Sequence, residues 1–213
     1  MPLLHFRASG KDPMHPFSDT NPTDQKFKDL DLSDQAIENI EFMGCHFQNC
    51  KFVGSTFRQL SFEDCAFEKC DLSLLKCPQT RFKQVRFKSC RLMGINWSAA
   101  DWEQKSLLKH RAVDFEDCLL DHSIFLGLNL KSTSFAGCKA RSLEFESTNL
   151  SQADFHNADL EGARFAHCDL TEANFSGATN YQINASENTL HKTRFSLPEA
   201  VALLHGLDII LED

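Results

Sequence analysis

Polar aromatic residues are almost missing from this 213-residue chain: one tyrosine and two tryptophans stand against 19 phenylalanines. A phenyl ring can be buried with no hydrogen-bond partner to find, so the imbalance points to an aromatic core of restricted geometry. Basic charge is scarce in the second half. Residues 113–213 hold 6 Lys/Arg against 16 Asp/Glu, whereas residues 1–112 hold 16 against 14. An acidic half repels nucleic acid and attracts basic partners, so direct nucleic-acid binding is not expected. No apolar run approaches the roughly 18–20 residues that span a bilayer. The stretch from Met1 to Phe17 shows no basic region followed by a long apolar segment, so neither a secretory leader nor a membrane anchor is expected. Nine cysteines, an odd number, fit a reducing cytoplasm better than a disulfide framework. Catalytic patterns are missing as well. There is no Gly-rich phosphate loop, HExxH or CxxC, and no histidine stands beside a paired nucleophile. Neither an enzyme nor a cofactor is expected.

What the chain has is a beat of five. From Phe27 it runs through Leu32, Ile37, Phe42, Phe47, Phe52, Phe57, Phe62, Phe67 and Leu72, misses at Cys77, and continues from Phe82 to Trp102. It slips by three, resumes at Phe115, and holds to Phe175. Two residues before most of these centres stands a smaller side chain, usually Cys, Ser, Thr or Ala. Positions two apart point the same way in an extended segment, so each unit turns one small and one large residue inward and then bends. Seven of the nine glycines fall two residues after a centre, where a turn with positive φ is expected. A bend every five residues closes a four-sided coil of twenty, and coils stack about 4.8 Å apart through strand-type hydrogen bonds.

The copies Ala153-Asp154-Phe155, Ala158-Asp159-Leu160, Cys168-Asp169-Leu170 and Ala173-Asn174-Phe175 resemble the A(D/N)LXX motif of the pentapeptide-repeat family. The resemblance covers about residues 25–180. It implies an all-β fold, a right-handed quadrilateral β-helix, here with a short C-terminal α-helix. The expected organisation is an N-terminal arm or cap (1–24), the β-helix (25–180) and a C-terminal capping or dimerisation segment (181–213).

The stretch EFMGCHFQNCKF (41–52) raises a metal or redox reading through Cys45, His46 and Cys50. Eight cysteines, however, occupy the small inward position, and Cys50, Cys70 and Cys90 should stack in one column, as should Cys45 with Cys65 and Cys118 with Cys138. Rungs about 4.8 Å apart do not suit disulfides, and His46 faces outward. The cysteines are expected to pack as small hydrophobes, and no metal is assigned.

Where the beat slips, residues 103–112 should project as a loop carrying Lys105, Ser106, Leu107, Leu108, Lys109, His110 and Arg111. It is either a contact element or a tolerated insertion. Lys76, Arg81, Lys83, Arg86, Lys88 and Arg91 form a basic belt around one coil, either for an acidic partner or as a solvated face. Ser196-Leu-Pro-Glu199 has a capping-box pattern, followed by apolar residues at helical spacing. Leu203, Leu204, Leu207, Ile209 and Ile210 are expected to cover the last coil and to join a homodimer.

Among pentapeptide-repeat proteins the chain resembles the Qnr and MfpA branch. That resemblance implies binding of DNA gyrase or topoisomerase IV, protection of the enzyme from quinolones, and an acidic rod imitating duplex DNA. The acidic surface would comprise Asp114, Glu116, Asp154, Asp159, Glu161, Asp169 and Glu172, with the 103–112 loop as the contact element. The second, smaller loop usual in that branch has no counterpart between Phe42 and Trp102. The alternative is a structural or adaptor rod for an unrelated protein.

Overall fold

The computed structural model describes Phe17, residues 21–102 and residues 113–206, the last two by backbone only. They form a parallel β-solenoid of about eight coils, the quadrilateral β-helix expected from the beat. Short three-residue strands such as Lys26–Lys28, His46–Gln48 and Ala66–Glu68 pair in parallel, Phe27 with Phe47 and Phe47 with Phe67. Each side of the square is a stack of centres. The first face carries Phe27, Phe47, Phe67, Phe87, Phe115, Phe135, Phe155, Phe175 and Phe195. Its ring centroids lie 4.6–5.5 Å apart, which is the pitch of the coils. The second face begins at Leu32, the third at Ile37 and the fourth at Phe42.

Corners explain the glycines. Most residues two after a centre take a left-handed conformation, with φ near 50–70°. Gly44 (φ 62°) is such a corner, and a Cβ there would lie 2.1 Å from Oδ1 of Asp24 on the coil below. The Asp or Asn before a centre is structural too. Its side-chain oxygen accepts the N–H two residues on, as Asp31 does from Ser33, Asn149 from Ser151, Asp154 from His156 and Asp169 from Thr171.

The small inward position does more than save space. Ser55, Thr80, Ser123 and Thr148 donate their hydroxyls to carbonyls of the preceding coil, at Leu32, Phe57, Leu92 and Phe125. Buried hydroxyls are thereby satisfied. Cysteines repeat the contact more weakly, Cys70 Sγ lying 3.4 Å from the Phe47 carbonyl.

All nine cysteines are buried and free. One column runs Cys50, Cys70, Cys90, Cys118 and Cys138, each N–H meeting the Sγ above at 3.4 Å. Two of the three stacks read from the sequence, Cys50–Cys90 and Cys118–Cys138, are therefore one, because the column passes straight across the insertion. Cys77, the missed beat, lies directly below Trp97 on the third face. The smaller side chain leaves room for the indole, which stacks on Phe125 at 5.8 Å. Burial pushes the Cys77 thiol up to about 12. All nine thiols are shielded by burial from a bulky reagent, so Ellman's reagent should find no fast thiol in the native protein and nine in denaturant. Rapid native labelling of even one would show that the column is open.

The ends depart from the expected boundaries. Phe17 and Pro22 are buried, and Phe17 meets Phe27 and Phe42 edge-on at 5.0 and 5.1 Å. Residues 21–24 thus already belong to the first coil and Phe17 covers its end; the rest of the expected arm or cap lies outside the described residues. At the other end Ile183 pairs with Phe165, and Phe195 stacks on Phe175, so coiling continues past residue 180.

The expected C-terminal α-helix is instead a 3-10 helix, Glu199–Gly206. Short terminal helices pressed on a core commonly tighten in this way: Val201 N–H reaches only to Pro198, and Leu203 packs on the last coil. The capping box does not form as expected. The Ser196 hydroxyl accepts the Gly177 N–H at 2.7 Å and so closes a corner of the solenoid.

Candidate partner-binding surface

Three features could contact a partner: the insertion, the acidic second half and the C-terminal end. Residues 103–112, with the predicted contact residues Lys105 to Arg111, lie outside the described residues. Their two stems are well defined. Phe87 pairs with Phe115, 28 residues on rather than the usual 20, so the insertion adds eight residues to one coil. On the near side Trp102 donates its indole N–H to the Trp97 carbonyl at 2.6 Å, and Asp101 pairs with Arg81 at 2.9 Å. On the far side Val113 is fully buried in the strand Val113–Glu116. The insertion therefore leaves and returns at the edge between the fourth and first faces.

The seven acidic residues of the predicted surface do not share one face. Asp114, Glu116 and Asp154 flank first-face centres. Asp169 lies on the fourth face, and Glu172 at the corner that joins it to the first. These five are on the side of the rod from which the insertion emerges. Asp159 and Glu161 lie on the second face, where Arg141 reaches them at 2.9 and 3.4 Å. Asp159 is held below the usual carboxylate range by the Asn180 amide and by Arg141. Glu116 is paired with Lys88 at 2.7 Å. Glu144 and Glu146, both exposed on the third face beside Phe145, belong to the same acidic half and were missed. Their positions beside a centre would have identified them.

The basic belt is largely neutralised from within. Lys83 pairs with Glu63, Lys88 with Glu116, Arg91 with Asp71 and Arg81 with Asp101, each across one coil boundary. Lys51–Asp31 and Arg58–Glu38 continue the same habit lower on the rod. Such exposed pairs add little stability, but they cancel charge where it stands. The repeats over residues 25–102 hold 11 basic and 10 acidic side chains; those over 113–180 hold 4 and 11. The second set spans about three and a half coils, ~16 Å. A duplex carries one phosphate per ~1.7 Å, or roughly nine over that length, so a net seven negative charges is of similar density.

At the C-terminal end Leu203 is turned toward the core and Leu204 is half-buried, while Leu197 (81% exposed) and Val201 (44%) face outward. Leu207, Ile209 and Ile210 lie outside the described residues. Among the described residues no cluster of metal-ligating side chains is present, and no helix is long and apolar enough to cross a membrane.

A family model for pentapeptide repeat regions matches residues 40–125 and 109–195. No curated protein sequence matches the chain. Among solved structures, HetL, a pentapeptide repeat protein involved in heterocyst differentiation regulation from the cyanobacterium Nostoc sp. strain PCC 7120, aligns at TM-score 0.50 and 14% identity, over 84% of this chain and 89% of that one. A trypsin-treated form of QnrB1, a plasmid-mediated fluoroquinolone resistance protein, aligns at TM-score 0.49 and 18% identity, over 91% of this chain and 99% of that one. At these identities the likeness is one of fold.

Proposed function

Because the chain belongs to the pentapeptide-repeat family, we propose that it is a non-enzymatic cytoplasmic rod that binds bacterial DNA gyrase or topoisomerase IV and protects it from quinolones. The observation that carries this reading is the charge profile along the axis: a self-neutralised first half and a second half with the linear charge density of a duplex. A basic DNA groove would accept the second half in place of phosphates. The insertion at 103–112 stands where the neutral and acidic halves meet, at the rim of such a groove. Leu197 and Val201, with the segment beyond them, would join two protomers so that both acidic halves lie at the centre of a longer rod.

The neutral first half favours a second reading in part. A rod whose charges are satisfied internally over four coils suits an adaptor for an unrelated protein as well.

Supercoiling by purified gyrase in the presence of a fluoroquinolone separates the two. Titrating in this protein should restore supercoiling at near-stoichiometric amounts. Replacing Leu107 and Leu108 by Ser should abolish rescue and leave the circular dichroism spectrum unchanged. No effect of the parent protein over a wide concentration range would leave the adaptor reading.

A further inference from the structure

Five large apolar side chains stand well exposed among the described residues, and Leu74 (60%) differs from the rest in its backbone. It occupies a left-handed corner (φ 60°), and it is the one apolar residue other than glycine to do so among the described corners. A leucine there is both conformationally unfavourable and wasted in water. Its column neighbours are Gly54 and Gly94, and its Cδ2 lies 2.8 Å from where a Gly94 Cβ would stand. Beside that column the partly buried Val53 and Met93 flank Ser73, so the corner between the second and third faces carries an apolar ridge over three coils with Leu74 at its crest.

We propose that this ridge is the docking surface for the N-terminal segment of the same chain, residues 1–16. Length and entry point support this occupant. Counting one five-residue step back from Pro22 puts Phe17 in the third-face register, where it lines the end of the core together with Ile37 and meets Phe27 and Phe42 edge-on. The third face borders the corner that bears the ridge. Leu74 stands three coils higher, ~14 Å along the axis. Leu3, Leu4 and Phe6 supply apolar side chains 11–14 residues before Phe17. That length of chain reaches ~36–46 Å, well beyond the distance required. The inference does not depend on the topoisomerase reading.

Limited trypsin digestion of the full chain tests it, with mass spectrometry reading cleavage after Arg7 and Lys11. Leu74→Asn is the informative variant, because asparagine tolerates the left-handed corner and the rod stays folded. Release of the segment should speed N-terminal cleavage about tenfold, while cleavage after Lys105, Lys109 and Arg111 in the insertion stays constant. Leu3→Ser/Leu4→Ser/Phe6→Ser should do the same, and combining both sets should add nothing. An unchanged rate in Leu74→Asn, or simple additivity, overturns the proposal. So does a lower molecular mass of Leu74→Asn in light scattering, which would identify a second copy as the occupant.

Discussion

Phe135→Ala should cost about 3–5 kcal/mol of unfolding free energy, the range for emptying a buried aromatic site. The ring is fully buried, stacks between Phe115 at 5.2 Å and Phe155 at 4.9 Å, and meets Phe125 and Phe145 edge-on. Coils on both sides have fixed backbone ladders, so the space cannot collapse easily. Each coil of a solenoid is held by its neighbours, so the loss weakens two interfaces together. Phe195→Ala, at the end of the same column, should cost clearly less. That ring is only half-buried and stacks on Phe175 alone along the column. Phe135→Leu should be mild, below about 1.5 kcal/mol, since leucine fills the same role at Leu120 and Leu130. Urea unfolding followed by circular dichroism reads all three. Equal losses for Phe135→Ala and Phe195→Ala would show that the column does not act as a continuous stack.

The column was legible in the sequence because a solenoid fixes its contacts at constant spacing. Five residues set the centres, twenty set the vertical neighbours, and glycine marked corners that prove to have positive φ. Legibility fails where the spacing changes. The eight-residue insertion alters the vertical offset from 20 to 28, which hid the continuity of Cys90 with Cys118 and of Lys88 with Glu116. A two-residue shortening, Phe165 over Ile183, ended the visible beat although coiling continues. Phe17 and Pro22 were hidden among prolines and polar residues. Charge pairing was hidden for a different reason. Arg91 and Asp71 are twenty residues apart, and their meeting is visible only once the register is known. The internal pairing of the basic belt, and of Asp159 and Glu161 with Arg141, was hidden for that reason. The donor role of the small inward residue left no periodic trace, since serine, threonine, cysteine and alanine all fit the space.

The same register decides which acids are free to meet a partner, and this yields the second large effect. Asp154→Asn, Asp169→Asn and Glu172→Gln together should weaken binding to a type II topoisomerase about a hundredfold, at roughly 1 kcal/mol per charge in a hydrated groove. These substitutions preserve the fold by the protein's own precedent. Asn149 and Asn174 already accept turn N–H groups in the role of Asp154 and Asp169, and a glutamine at 172 keeps an acceptor for Gln152. All three acids lie on the two faces that adjoin the insertion. Asp159→Asn with Glu161→Gln removes two formal charges from the second face, against three in the first set, yet should weaken binding only a few-fold, because Arg141 already neutralises part of that charge. The binding deficit of the triple variant should shrink as salt rises, since screening removes the attraction that the parent retains. Titration by fluorescence anisotropy at two ionic strengths provides both comparisons. Equal losses per charge removed from the two sets would mean that net charge alone governs binding. No loss from the triple variant would mean that the acidic half does not replace phosphates, and the contact would then rest on the insertion.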